Sequence, residues 1–348
     1  MERIVILAPN AFNYIENKTG NMLLRYRPKE VVAVIDPEKA GQTAEQVIGW
    51  GGNIPCVASF NETISYSPTQ LVIGAAPQGG ILKDNYRNEI KDALLAKCQI
   101  ISGMHVFLKD DNEIFNLAKK MNVTISDLRR SPTPPHFPKG SWKNRKFPVM
   151  LIVGSDCDTG KMTTAWELVL ALRRLNRKVE FVGTGQTGIL LSGNGVPIDA
   201  VVSDFMAGEI EYCLDQLPDN TELAIVEGQG ALNNLLYSGV TLGLLHGSMP
   251  DFLIFAHEPG RKIDVANHPI PDLEILMQNY IDLMKPFKQS KFLGLNFLTL
   301  KLQNDIAIET CNAARYRHEC CRDSDRGAVW RAQTTSGRVQ PRSHSTRL

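Results

Sequence analysis

Hydrophobic residues fall into short solid runs, separated by stretches in which apolar positions recur every three or four residues. Arg3–Ala8, Val31–Asp36, Gln70–Ala75 and Gln99–Ser102 are runs of strand length, and Asn88–Ala96 and Asn112–Met121 carry helical periodicity. Unbroken apolar strands alternating with helices specify parallel strands covered on both faces, so this half predicts an open, doubly wound α/β sheet. The pattern restarts further along. Strands are expected at Val149–Val153, Val179–Gly183, Leu223–Val226, Phe252–Ala256 and Phe292–Asn296, with helices at Thr163–Leu175 and Ile275–Met284. In the first of these helices Ala165, Leu168, Val169 and Leu172 share one face, the spacing a sheet-packing helix needs.

The stretch Arg129–Pro148 holds five prolines and no hydrophobic period, and reads as a linker. The chain therefore divides into a first domain (1–130), a linker (131–148), a second domain (149–312) and a tail (313–348). From Cys311 onward there are eight arginines, no lysine and a single residue among Leu, Ile, Phe and Met, so no core is expected there. The change of character fits a reading-frame change near Ala313–Arg315, with a genuine basic tail as the alternative.

Composition narrows the function. A net charge of +1 over 348 residues predicts no broad basic face, so neither nucleic acid nor anionic membrane is an expected partner. The longest apolar runs are strand-length, too short to span a bilayer. Met1–Pro9 lacks the charged and apolar regions of a secretory signal, and a cytoplasmic location is expected. The seven cysteines are scattered without a CxxC pair, which removes zinc-ribbon and thioredoxin-type chemistry and predicts reduced thiols.

The clearest chemical signal is Gly154-Ser155-Asp156-Cys157-Asp158-Thr159-Gly160-Lys161, set between a strand and a helix. Glycines let backbone N–H groups converge on an anion, the helix N-terminus adds positive character, and the lysine reaches the outer oxygens of a phosphate. Gly154, Asp156, Cys157, Asp158, Thr159, Gly160, Lys161 and Thr163 are the expected carrier-binding residues. Two departures from a nucleotide-hydrolysing loop stand out. Five residues separate the glycines and include two acids, and Met162 follows the lysine where a magnesium-binding hydroxyl usually stands. Phosphate held without cleavage fits this better than a firmly Mg-bound triphosphate, although Asp158 and Glu227 remain candidate magnesium ligands.

Downstream, LAIVEGQGAL ends a strand at Glu227 beside Gln229. A carboxylate at that tip faces the loop in such a sheet and can act as a base or hold magnesium. GTGQTGIL and VVSDFMAGEIE contribute Gln186, Thr187, Asp204 and Glu209 as residues that can point at the same crevice, Asp204 serving equally well as a helix cap. His257-Glu258 ends another strand and Arg261 follows; imidazole suits proton transfer and guanidinium suits a substrate carboxylate. In the first domain the loops GAAPQGG (Gly74–Gly80) and SGMHVFL, with His105, can close a cleft. No GxGxxG follows the first strand, and Asp36, ahead of Pro37, reads as a turn residue rather than a ribose ligand.

The stretches GAAPQGG, ISGMHVFLKDD, GSDCDTGKMTT, GTGQTGILLSG, VVSDFMAGEIE, VEGQGAL, YSGVTLGLLHGS and HEPGR together resemble the DgcN-like family over roughly residues 1–300. The loop itself is similar to that of dethiobiotin synthetase. The resemblance implies an N-terminal Rossmann-like open sheet and a C-terminal P-loop NTPase-like parallel sheet with helices on both faces. It implies an N-acetyltransferase that moves acetyl from acetyl-CoA to the amino group of a D-amino acid, D-glutamate above all. On that reading the loop holds the phosphates of the carrier, Glu227 or His257 is the base, loop N–H groups or Gln229 face the oxyanion, and Arg261 holds a substrate carboxylate. Two other readings stay open: a ligase using ATP and Mg to activate a carboxylate, and a non-catalytic nucleotide- or CoA-binding module. A homo-oligomer is compatible with the apolar YSGVTLGLLHG stretch. The resemblance lapses after about Asn312.

Overall fold

In the computed structural model, residues 2–75, 82–299 and 302–317 are described. The expected GAAPQGG loop lies largely outside them, as does most of the Arg-rich tail. The chain divides into two compact units, Met1–Pro135 with Val182–Val202, and His136–Phe181 with Ser203–Leu348.

The first unit runs β1 (Ile4–Leu7), α1 (Lys18–Tyr26), β2 (Val31–Ile35), α2 (Ala44–Ile48), β3 (Cys56–Val57), β4 (Gln70–Ile73), α3 (Asp84–Leu95), β5 (Gln99–Ser102), α4 (Asn112–Met121) and β6 (Ile125–Asp127). Its sheet has the order β3-β2-β1-β4-β5-β6 with parallel pairing throughout. Successive strand residues face opposite sides, and the core divides accordingly. Val5, Leu7, Ala33, Ile35, Leu71 and Ile73 pack with Ile90 and Leu94 of α3 and Ile114 of α4. Ile4, Ile6, Val34 and Val72 pack instead with Leu23 and Leu24 of α1 and Ala44 of α2. The two short strands β3 and β6 carry too few apolar residues to stand out as runs, so the sequence showed four of the six.

Asp36, just beyond β2, is 1 % exposed. Its carboxylate accepts N–H groups from Asn10 (3.1 Å), Phe12 (2.9 Å) and Glu38 (3.0 Å). That ties the β1–α1 loop to the turn at Pro37–Lys39, which is the turn role expected for it.

The second unit opens with β7 (Val149–Gly154), α5 (Lys161–Arg174) and β8 (Val179–Val182). The chain then supplies α6 (Gln186–Ser192), which belongs to the first unit. It continues as α7 (Met206–Asp215), β9 (Leu223–Val226), α8 (Ser238–Ser248), β10 (Phe252–His257), α9 (Leu273–Met284), β11 (Lys291–Phe297) and α10 (Asn304–Arg317). The sheet order is β11-β10-β7-β9-β8, which sets β7 at the centre. All six residues of β7 are buried, the burial pattern of a central strand covered on both faces.

Part of the proline-rich linker is structured on this unit. Glu209 of α7 is 1 % exposed and accepts the His136 N–H at 2.7 Å and faces its Nδ1 at 3.1 Å. Glu211 accepts N–H groups from Lys139 and, at 2.7 Å, from Ser141. The His136 ring stacks on Tyr212, centroids 3.7 Å apart and planes 9° from parallel. Glu209 thus serves the linker, not a ligand crevice. Gly208 permits this approach, because a Cβ there would lie 2.0 Å from the His136 carbonyl oxygen. Gly208→Ala is expected to cost about 2–3 kcal/mol of stability in chemical denaturation, since backbone rather than a flexible side chain blocks the methyl.

Candidate active site

β7 delivers the loop Gly154–Gly160 to the C-terminal edge of the second sheet. The loop begins hydrogen-bonded to its neighbour strand: the Ser155 N–H donates to Ala256 O at 3.1 Å. Asp158 (φ +55°) and Gly160 (φ +89°) take left-handed conformations that turn the chain into α5. α5 starts at Lys161, two residues earlier than the periodicity predicted, because the single apolar Met162 among Lys161, Thr163 and Thr164 sets no period by itself. Tyr280 of α9 buttresses the loop from below. Fully buried, it donates to Gly154 O at 3.2 Å and accepts the Leu232 N–H at 3.0 Å.

Lys161 is 6 % exposed, and its ammonium turns back onto the loop, donating to the Asp156 carbonyl, with Thr159 Oγ1 at 3.4 Å. Loop N–H groups, an ammonium and a helix N-terminus are the parts from which an anion cradle is built, and Gly154–Lys161 brings all three into one short stretch between β7 and α5. Thr163 lies half-buried in the first turn of α5, while the neighbouring Thr164 hydroxyl donates to Gly160 O at 2.8 Å, a bond internal to the helix.

Two expected ligand-facing residues are committed elsewhere. Asp156 is completely buried, and its carboxylate accepts from Asn234 Nδ2 (3.0 Å), Arg261 Nη1 (2.9 Å) and the Val265 N–H (3.0 Å). Arg261 donates in addition to Cys157 O (2.8 Å) and through Nε to Glu258 (2.7 Å). Burial works against this cation, but the Asp156 hydrogen bond and the Glu258 carboxylate more than offset it, and its pKa lies above the ordinary value. Asn234 also reaches Asp264 Oδ2 at 3.2 Å. The acid inside the loop and the arginine beyond β10 therefore form a clamp that fixes loop shape.

The two strands beside β7 bring proton-transfer groups to the cradle. Ala256 pairs with Gly154, so His257 stands level with the start of the loop. Its Nδ1 lies 2.8 Å from Ser155 Oγ, both residues being buried. Burial, reinforced by the Arg261 cation and opposed by Glu258, holds the imidazole below its ordinary value. On the other side Val226 pairs with Leu151, and Glu227 follows, 4 % exposed. Gly228 comes next, and only glycine fits: a Cβ would meet Ile152 O at 1.7 Å and the Lys161 Cδ at 3.2 Å. The lysine stem thus runs directly past the residue after Glu227. Gln229 is half-buried, and its carbonyl accepts from Thr241 Oγ1 at 2.7 Å.

Other expected site residues are placed differently. Gln186 opens α6 in the first unit, where its side-chain oxygen accepts from Arg129 Nη2 at 2.7 Å and its stem fills the space a Cβ on Gly103 would occupy. Arg129 also donates to Gly103 O at 2.8 Å and pairs with Asp199, which pins residues 183–202 to that unit. Asp204 is exposed in the turn Ser203–Phe205, and the N-cap position of α7 is taken by Phe205. Cys157 is half-exposed and Asp158 exposed at the loop rim. Among the described residues no three His, Cys, Asp or Glu side chains gather as metal ligands would. A magnesium ion at Asp158 and Glu227 would need its remaining ligands from bound phosphate or water. Sequence reasoning missed Asn234, Asp264 and Tyr280, none of which lies in a recognisable motif.

Comparison with known proteins bears on this arrangement. A model of the domain of unknown function DUF1611, described as its C-terminal P-loop domain, matches residues 136–324, and its N-terminal Rossmann-like counterpart matches residues 37–131. The chain belongs to the DUF1611 family. The P-loop match runs past Asn312, where the visible resemblance stopped. A DUF1611 protein from Anabaena variabilis, known from a crystal structure, superposes with a TM-score of 0.83 at 33% identity, covering 90% of this chain and 92% of that one. A protein from Tritonibacter scottomollicae named D-glutamate N-acetyltransferase is 35% identical over 266 residues, covering 75% of this chain and 78% of that one. A Pseudoalteromonas protein of the same name is 39% identical over 203 residues, or 58% of this chain and 60% of that one. The family therefore joins a Rossmann-like and a P-loop domain, and two of its relatives carry an acetyltransferase name. Among the described residues no helix is long and apolar enough to cross a membrane.

The state of His257 has a measurable consequence. Were His257 the base, it would have to be unprotonated to work, and its imidazole is held below its ordinary value. The acid limb of a kcat/KM profile is therefore expected below pH 6.5, the usual imidazole region. Because the Arg261 cation is one of the depressing influences, Arg261→Gln should move that limb to higher pH.

Proposed function

We propose that the protein is an N-acetyltransferase that moves acetyl from acetyl-CoA to the amino group of D-glutamate. The observation that carries the proposal is the buried His257 within hydrogen-bond distance of Ser155, at the strand tip beside the phosphate-type loop. The relatives' names supply the reaction class and substrate.

Acyl transfer to an amine needs an uncharged nitrogen, a proton acceptor and a donor for the carbonyl oxygen. With Nδ1–H donated to Ser155 Oγ, the lone pair of His257 at Nε2 accepts a proton from the amine as its nitrogen bonds to the thioester carbon. The side-chain amide of Gln229 suits the developing oxyanion. The C–S bond then breaks, and the sulfur leaves as the CoA thiol once protonated from the imidazolium. No magnesium is required by any of these steps.

The test is product analysis with the full chain, acetyl-CoA and D-glutamate, set beside ATP with Mg and D-glutamate. The expected result is D-glutamate-dependent release of free thiol, with N-acetyl-D-glutamate formed in equal amount. Release of ADP or AMP with no thiol would instead identify a carboxylate-activating ligase.

A further inference from the structure

The groups assigned to the reaction come from three different strands: Ser155 follows β7, Gln229 follows β9, and His257 ends β10. A sheet fixes where its strands end, not how the loops beyond them lie. Misplacing a reacting group by about 1 Å can cost roughly 10²-fold in rate. One buried side chain joins the three loops. Asn234, 1 % exposed, lies in the loop after β9. Its Nδ2 donates to Asp156 Oδ1 in the loop after β7 (3.0 Å) and to Asp264 Oδ2 in the stretch after β10 (3.2 Å). Its Oδ1 accepts the Leu236 N–H at 2.9 Å, which settles which end of the amide faces the two acids.

An amide suits this place for a specific reason. Two carboxylate oxygens bonded to one nitrogen stand close together, and like charges at that separation repel. The NH2 group gives a hydrogen to each without adding charge. Each carboxylate in turn shapes its own loop. Asp264 accepts the N–H groups of Ala266 and His268, both at 2.8 Å, closing the turn that follows it. Asp156 takes Arg261 and the Val265 N–H on its other oxygen. In the loop after β9, Thr241 holds the Gln229 carbonyl and the Tyr280 hydroxyl holds the Leu232 N–H. Asn234 adds the tie that fixes this stretch to its two neighbours.

We infer that Asn234 is a positioning residue for the reaction: by bonding the acids of both neighbouring loops, it sets Gln229 in register with Ser155 and His257. The roles of Gln229 and His257 rest on the acetyltransferase reading. The frame of three loops does not, and the test separates the two.

Asn234→Asp and Asn234→Ala in the full chain provide that test. The aspartate keeps the shape but sets a third carboxylate against Asp156 and Asp264, with Arg261 already paired to Asp156. Burial and two like charges push such a carboxyl above its ordinary value, so it ionises at higher pH and regains a proton to donate as pH falls. Relative to wild type, both activity and unfolding midpoint of Asn234→Asp should be lowest near pH 8 and recover toward about pH 5.5. Asn234→Ala removes the donors without adding charge and should show no such recovery. In the folded alanine variant kcat for acetyl transfer should fall roughly 10- to 100-fold, with KM for D-glutamate and acetyl-CoA within about threefold. Hydrogen exchange reads the frame without turnover: amides of residues 156–160 and 264–268 should lose protection together in Asn234→Ala. The inference is overturned if folded Asn234→Ala keeps wild-type kcat, if the loss lies in KM alone or merely follows the unfolded fraction, or if either loop stays fully protected. Joint release of both loops in a protein whose wild type transfers no acetyl group would instead leave the frame standing and remove the proposed reaction.

Discussion

His257→Ala is expected to lower kcat for acetyl transfer by 10²–10⁴-fold, the range over which a positioned base contributes. The residue ends β10 beside the central strand, so the substitution removes an imidazole without touching the sheet's hydrogen bonds. The loss should therefore appear in kcat, with D-glutamate affinity little changed and unfolding close to wild type. Ser155→Ala separates orientation from proton transfer. Without a partner for Nδ1 the ring can take either tautomer, and activity should fall by a smaller factor while the acid limb shifts. Glu227→Gln tests the other candidate base at the same edge, and a fall in kcat larger than that of His257→Ala would assign the proton transfer to the carboxylate. Full activity in His257→Ala would remove this residue as the base, and full activity in both His257→Ala and Glu227→Gln would remove the proposed chemistry from this edge of the sheet.

Asp156→Ala is the substitution expected to damage the fold most. The carboxylate is completely buried and receives three donors, from Asn234, Arg261 and Val265. Its removal leaves a mostly buried guanidinium with one carboxylate partner in place of two, and a backbone N–H with none of its former acceptor. Breaking a buried ion pair from one side costs about 3–5 kcal/mol, and the remaining Glu258 contact places the expectation near 3. Chemical denaturation should show the lowered midpoint. Asp156→Asn keeps one acceptor oxygen and should lose about half as much. Because the clamp holds the loop through Cys157 O and Arg261, ligand binding should weaken in both variants in proportion to stability. A carrier- or metal-binding role for Asp156 predicts the reverse: lost binding with stability intact, since removing an acid that faced solvent would leave no buried partner behind.

The contrast between Asp156 and Lys161 shows how far the sequence could be read. Both lie in one eight-residue loop, and both were expected to face the ligand. The backbone of that loop was legible because its conformation is set locally, by glycine at 160, by a strand before it and by a helix after it. The side-chain assignments were not. Asp156 pairs with Arg261, 105 residues away, and Glu209 pairs with His136, 73 residues away. No pattern within a window of sequence registers such pairings. The same holds for Gln186, which follows a strand of the second sheet yet fills space beside Gly103 in the first unit. A polar residue at a strand tip looks the same in sequence whether it waits for a ligand or closes a gap between elements.

What the sequence alone determined was the order of elements and the position of the cradle. Apolar runs, helical periods and glycine placement are local quantities, and the free energy of burying them is nearly independent of which neighbours complete the core. Tertiary structure alone decided which charges are consumed in holding the loop, the Asp156–Arg261 pair among them. That choice turns on hydrogen-bond geometry of about 3 Å between segments a hundred residues apart, because a buried charge is tolerable only where a distant partner arrives to satisfy it.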